Sequence, residues 1–330
     1  METTDTHKGH KKAYLISVIC AVAYGLFARL AFGLELTGDI FEIMSTSFIL
    51  GVPVVLGFIS IWFVRNEKKL VWYEYILLPW TSGFIFLACT LILVWEGIIC
   101  IVLWLPLVMI LGTIGGVLAS LALYMVKARK NKLYCVSLVI LLPFILAPIE
   151  KLKQRAEDIR TVRSQIIIEA PVETVWNNIE QVSAITESEH RFALIHLLGF
   201  PRPVEAELIG EGVGAVRHAT FEGNVLFLEH ITEFERNHKI AFTITANTEN
   251  IPPDTFDEHV TIGGPYFDVL NGGYVIENLE DGRILLHLYS QQRLSTNFNF
   301  YAHLWTEWLM KNIQDYILVI IKERCEAAQS

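Results

Sequence analysis

Charge is scarce in this 330-residue chain: Asp, Glu, Lys and Arg make up 18% of it, against about 25% in a typical soluble domain. The shortage is local. No charged residue lies between Leu133 and Ile149 or between Ile43 and Val64, and Glu96 is the only one between Tyr75 and Met125. Cysteine is also sparse. Four of the five, Cys20, Cys89, Cys100 and Cys135, fall in apolar stretches, leaving Cys325 alone in the second half. One cysteine excludes a disulfide framework there. Eight of the ten histidines follow residue 150, but none stands in an H-x-x-x-H or H-E-x-x-H pattern, so no metal is expected. Gly263-Gly264-Pro265 lacks the strand-to-helix context of a phosphate loop and reads as a turn. No nucleophilic Ser, Cys and His set is recognisable, and no cofactor is expected. Residues 150–330 carry 15 Lys and Arg against 27 Asp and Glu, without the basic footprint that nucleic acid requires.

What is abundant is apolar sequence, 53% of the chain. It is concentrated in five stretches, 13–33, 43–64, 75–95, 98–126 and 133–149. A bilayer core about 30 Å thick takes around 20 helical residues to cross, and the first four stretches meet that length. The fifth is at the lower limit and contains Pro143 and Pro148. It is read as a span, with a re-entrant segment as the alternative. Lys8, Lys11, Lys12, then Arg65, Lys68, Lys69, then Lys127, Arg129, Lys130 and Lys132 flank one side; Glu35, Asp39, Glu42 and Glu96 flank the other. The positive-inside rule then makes the N-terminus cytoplasmic, and five crossings put the C-terminal half outside. Arg29, the one charge inside a span, is expected to snorkel towards Glu35 or Asp39. Gly112, Gly116 and Ser120 form a small-residue row suited to helix–helix packing. The expected division is a cytoplasmic tail 1–12, a membrane region 13–149, a linker 150–161 and a globular domain 162–327, with the lipid bilayer as one partner.

The second half alternates differently. A β-rich run, Val162 to Ile168, is broken by Ala170-Pro171, and Val172, Val175, Trp176 and Ile179 follow at helical spacing. A looser helical region covers Ala184 to Leu198. Strands are then expected over 204–209, 215–221, 225–234, 240–246, 274–279 and 284–294, with hairpin turns at Gly223-Asn224 and Asp281-Gly282. A long helix, Tyr301 to Glu326, closes the chain, with Leu304, Trp305, Trp308, Leu309, Ile313, Tyr316, Ile317 and Ile320 on one face. Strand, two helices, six strands and a long helix make an α+β arrangement in which an antiparallel sheet encloses the last helix.

Three segments carry a family resemblance: Ile168-Glu169-Ala170-Pro171-Val172-Glu173-Thr174-Val175-Trp176; Glu229-His230-Ile231-Thr232-Glu233-Phe234-Glu235 leading to Lys239-Ile240-Ala241-Phe242-Thr243-Ile244; and the final helix ending Lys322-Glu323-Arg324. About half of the chain, 162–326, resembles the START/polyketide-cyclase/pollen-allergen (SRPBCC) superfamily. The resemblance implies a helix-grip fold and a cavity between sheet and helix for a hydrophobic small molecule or lipid, or a cyclase- or dehydratase-type reaction. It supplies no fixed catalytic motif, and fold alone does not choose among these functions.

If Gly223-Asn224 is a two-residue turn, Arg217 stands opposite His230 on the cavity face. His218, Thr220, Glu222, Glu229 and Glu233 then face solvent. The same reading of Asp281-Gly282 sets Tyr274 opposite Tyr289 and Ile276 opposite His287, with Arg293 further along. The candidate ligand-binding residues are therefore Arg217, His230, Phe242, Tyr274, His287, Tyr289, Arg293, Tyr301, Trp305 and Trp308. The Arg217–His230 pair is expected to hold a carboxylate or phosphate headgroup. As an enzyme, the domain would draw acid–base groups from Arg217, His230 or Tyr289; as a sensor, the pocket would act through the membrane helices. Asn297 and Asn299 are read as capping and loop residues.

Overall fold

The computed structural model describes residues 2–34, 41–67, 69–126, 129–153, 155–247 and 262–328. These form two compact units, Met1–Gln154 and Arg155–Ser330.

The first unit is helical: α1 Glu2–Phe32, α2 Val52–Glu67 preceded by a π-helical turn Ser47–Gly51, α3 Glu74–Ile92, α4 Ile98–Met125 and α5 Arg129–Lys151. Each, with the π-helical turn counted into α2, contains a stretch long and apolar enough to cross a membrane. α5 continues through Pro143 and Pro148 as one helix. The small residues serve close packing within the chain. A Cβ on Gly57 of α2 would fall 1.9 Å from the Gly112 carbonyl of α4, and one on Gly115 would fall 1.9 Å from the Val54 carbonyl. Gly116 packs on Ile61 and Pro79, while Ser120 meets the Tyr75 hydroxyl at 3.1 Å. Arg29 is buried, and its Nε donates to Glu96, of the acidic flank, at 2.5 Å and its Nη2 to the Trp95 carbonyl at 2.7 Å. Glu35 and Asp39 lie outside the described residues.

The second unit has the expected order. β1 Asp158–Ile168 leads to α6 Val172–Glu180 and a single turn α7 Leu194–Leu197. Six strands follow, β2 Pro203–Ile209, β3 Val216–Phe221, β4 Val225–Glu235, β5 Lys239–Asn247, β6 Phe267–Asn278 and β7 Ile284–Leu294, then α8 Asn299–Ala327. β1 begins four residues inside the expected linker. Its first residues are polar or exposed and gave no apolar signal, yet they pair with Gln291 to Leu294 of β7. The seven strands form one antiparallel sheet in the order β1-β7-β6-β5-β4-β3-β2. Along β7 every second residue from Ile284 to Leu294 is buried, the period expected of a strand with one face on the core.

α8 lies along the inner face near β1 and β7. Gln314 Nε2 donates to the Val162 carbonyl at 3.3 Å, and Lys322 Nζ to the Ile167 carbonyl at 2.7 Å. The core sits under its C-terminal half, where Leu318, Ile321 and Cys325 meet Trp176, Ile240, Ile276 and Leu286. Trp176 packs edge-to-face on Phe234 at 5.3 Å.

Both hairpins differ from the sequence reading by one residue. In β3–β4 the loop is three residues, Glu222 to Asn224, and Phe221 pairs with Val225. Glu222 is withheld from β4 because it extends the β2 ladder. Its N–H donates to the Arg202 carbonyl at 2.9 Å, and its carboxylate accepts from Arg202 Nε at 2.7 Å. In β6–β7 the Leu279 N–H donates to the Arg283 carbonyl at 2.9 Å, with Gly282 left-handed at φ 83°. Three-residue loops with Gly in the left-handed region are the next most common hairpin form after two-residue turns. A one-residue slip moves a strand's whole side-chain set to the other face. That decides the site.

Candidate functional site

Arg217 pairs across β3–β4 with Glu229, and Val216 pairs with His230. Arg217 and Glu229 are 3% and 8% exposed, and Arg217 Nη1 donates to Glu229 Oε2. Two rings flank the guanidinium, Phe242 at 5.7 Å and Tyr274 at 5.9 Å from its carbon. These distances are within cation–π range. Burial works to discharge Arg217, but Glu229 and Tyr274 beside it reverse that and keep it protonated. Burial pushes the Glu229 carboxyl above its ordinary range, with Arg217 pulling the other way. Protonating Glu229 would strand a buried guanidinium charge, so the two ionise together. Burial also raises the Tyr274 hydroxyl.

This cluster separates two cavities under α8. The larger, of about 110 Å³, is walled by Phe200, Phe221, Phe227, Phe242, Met310 and Ile317, with Glu229 and Tyr274 at one end and Ser290 and Gln314 on the helix side. The smaller, of about 70 Å³, lies between β2, β3 and α8 and shares Phe221, Glu229, Tyr274 and Ile317 with the first. Arg217 lines only the smaller one. Val182 and Ile185, from the segment between α6 and β2, complete its wall.

That segment is strapped to α8. Arg324 Nε donates to Glu189 at 2.5 Å, and its other nitrogens reach the Ser183 and Ala184 carbonyls at 2.9 and 3.0 Å. Hydrogen bonding to Arg324 lowers the Glu189 carboxyl from its usual 4.5 to about 2, against burial. Further along, His190 shares a 2.7 Å hydrogen bond with the Tyr316 hydroxyl, and the His196 ring meets Tyr316 edge-on at 4.6 Å. Burial lowers the His196 pKa. The segment is irregular except for the α7 turn, so the looser helix expected over Ala184 to Leu198 is not formed.

Of the ten candidate residues, the structure brings Arg217, Phe242 and Tyr274 together. His230 is exposed on the opposite face of the sheet, because the three-residue loop puts Glu229 inside in its place. For the same reason His287 pairs with Val275 and turns outward to Glu277, at 3.1 Å. Tyr289 pairs with Gly273. It borders the larger cavity, but its side chain belongs to the half-exposed row of β7, where its hydroxyl lies over Gly273. Arg293, in the same row, bonds the Gly264 carbonyl at 3.1 Å. Arg217, His230 and Tyr289 therefore do not form one acid–base set. Tyr301, Trp305 and Trp308 pack in series, with ring centroids 6.2 and 6.3 Å apart, and line neither cavity. Met310, Gln314 and Ile317 take the inner face of α8 instead. Asn299 does act locally: its Oδ1 accepts from the Thr296 N–H and hydroxyl at 2.9 and 2.7 Å.

Sequence reading missed Glu229, Ser290, Gln314, Phe200 and Phe227. The signal for Glu229 was present in the alternation of β4, once its start is set by Phe221–Val225. Gln314, a polar residue three positions from Ile317 on an apolar helix face, was the other available mark. Among the described residues no group of three or more His, Cys, Asp or Glu is placed to hold a metal ion.

No family model matches the chain, and no curated protein matches it in sequence. Solved structures resemble its C-terminal half. A protein from Thermus thermophilus is 19% identical, with a TM-score of 0.33, covering 52% of this chain and 100% of its own. Norcoclaurine synthase from Thalictrum flavum is 11% identical, with a TM-score of 0.33, covering 54% and 100%. The di-domain ARO/CYC BexL from the BE-7585A biosynthetic pathway is 12% identical, with a TM-score of 0.32, covering 62% and 60%. At such scores these likenesses add nothing to what the strand order shows. The globular unit is a seven-stranded antiparallel sheet gripping a long C-terminal helix.

Proposed function

We propose that this chain is a membrane-anchored binding protein whose helix-grip unit holds a hydrophobic small molecule or lipid segment between the sheet and α8. The observation that carries the reading is the cavity itself. Its walls are aromatic and aliphatic, while a few buried polar groups, Glu229, Tyr274, Ser290 and Gln314, converge on it. Apolar walls with a small number of placed polar groups are the usual make-up of small-molecule sites. An engineered apolar cavity of about 150 Å³ takes up benzene, so about 110 Å³ suits a ring or a short chain segment.

The first unit supports anchoring. Leu15, Ile19 and Phe27 on α1, Ile110, Val117 and Leu121 on α4, and Leu138, Leu141 and Ile145 on α5 are all exposed. Apolar surface on that scale marks a membrane or protein partner. With the basic flanks cytoplasmic, the N-terminus lies inside and the globular unit outside the cell membrane. Tethering lets such a unit draw an apolar ligand from the bilayer.

Extraction and mass spectrometry of the detergent-purified full chain tests the binding. A retained apolar molecule at a defined ratio is expected. Its absence under mild detergent, together with no uptake of added apolar compounds, would contradict the reading.

A further inference from the structure

The larger cavity has a polar corner with unusual bookkeeping. Gln314 is 2% exposed and lies on α8 above the β1–β7 pair Val162–Ser290. Its Nε2 donates to Ser290 Oγ at 2.7 Å and to the Val162 carbonyl at 3.3 Å. A carbonyl only accepts, so Val162 fixes which end of the amide faces the sheet. The Oε1 atom is then left as a fully buried acceptor with no protein partner. Because Ser290 Oγ accepts from Gln314, its own proton remains available to donate. A buried acceptor without a donor is left with its desolvation uncompensated, and Gln314 is one of the residues that line the cavity, beside a spare donor.

Charge narrows the ligand further. Among the described residues, the ionisable ones lining the two cavities are Arg217, Glu229, Glu205, Tyr274 and Tyr289, the last with its side chain in the half-exposed row of β7. Glu205 is exposed. Arg217 and Glu229 neutralise one another, so no described residue offers the larger cavity a free cation. A carboxylate or phosphate placed there would be a buried charge without a partner, which is strongly unfavourable.

We infer that the ligand of this cavity is an uncharged apolar molecule carrying a hydroxyl group, which donates to Gln314 Oε1 and accepts from the Ser290 hydroxyl. This rests on the binding reading above and deepens it. It replaces the headgroup expected from the sequence: the corner recognises a neutral hydroxyl, and Arg217 is already taken.

Three probes built on one ring separate the possibilities: phenol, toluene and benzoate. They are titrated calorimetrically into the full chain in lipid nanodiscs, with empty nanodiscs subtracted. Phenol is expected to bind more tightly than toluene, and benzoate not to bind. Gln314→Leu, and independently Ser290→Ala, should weaken phenol about fivefold, the scale of one hydrogen bond, and leave toluene unchanged. Ser290→Ala keeps the test open if Gln314→Leu does not fold. Equal binding of phenol and toluene, unchanged in both variants, would overturn the hydroxyl corner while leaving the cavity reading intact. Tightest binding of benzoate would overturn the neutral-ligand assignment. Binding of none of the three would overturn the cavity reading itself.

Discussion

Arg217 and Glu229 face each other across the β3–β4 ladder as a buried ion pair, with the rings of Phe242 and Tyr274 on either side of the guanidinium. The pair sits where the two cavities meet, so its integrity governs both. Breaking one partner of a buried pair strands the other charge, at about 3–5 kcal/mol, whereas replacing both with apolar residues is often close to neutral. Arg217→Met and Glu229→Leu are each expected to destabilise the globular unit strongly, and the double variant much less. Denaturant unfolding of the full chain, followed by tryptophan fluorescence, reads the three. Additive losses would mean that the two side chains do not act as a pair.

The register makes a separate prediction at the neighbouring position. His230 is exposed, so His230→Ala should change stability by less than about 0.5 kcal/mol. A loss comparable to that of Glu229→Leu would show that β4 turns its other face inward.

Close backbone packing in the helical unit rests on Gly57. A methyl group there would fall 1.9 Å from the Gly112 carbonyl, a backbone atom that cannot swing away. Gly57→Ala should force α2 and α4 apart and lower the yield of folded protein in detergent. Gly97→Ala, where among the described residues nothing beyond its chain neighbours lies within 4 Å of the added methyl group, serves as the control. Equal yields would refute the contact.

Acid should loosen the strap over the smaller cavity. Glu189 titrates at about 2 in the folded protein, below its usual 4.5, chiefly through Arg324. A carboxylate with a depressed folded pKa binds more protons when unfolded, so its stabilisation is complete above about 4.5 and is lost as pH falls towards about 2. Solvent screens this partly exposed pair, so the effect is local and modest. Hydrogen exchange in residues 181–193 should rise between pH 5 and about pH 3 relative to the β6–β7 strands. Arg324→Gln should show the raised exchange already at pH 5. A strap equally protected at both pH values would rule out the tie.

Much of this was legible in the sequence because it depends on period and length. Five apolar runs became five long helices, and strand alternation with Pro171 and the two Gly turns set out the element order. The cavity was not legible because it depends on a single residue of loop length. Gly223-Asn224 reads equally well as a two-residue turn or as the end of a three-residue loop. What decides is Glu222 bonding Arg202, just ahead of β2, a contact no local pattern contains. The same slip at Asp281-Gly282 sent His287 to the outer face. On α8 the Trp305–Trp308 row drew attention by size, yet Met310, Gln314 and Ile317 face the sheet, because the helix presents a different stripe at its N-terminal end.

The most direct test compares the wild-type chain with Met310→Trp, a substitution on the α8 wall that fills the larger cavity. Both are purified in the same mild detergent, and retained small molecules are quantified by mass spectrometry per mole of protein. The binding account predicts one apolar molecule carried by the wild type and nearly lost from a folded Met310→Trp variant. Equal retention in both, or none in either, would contradict it.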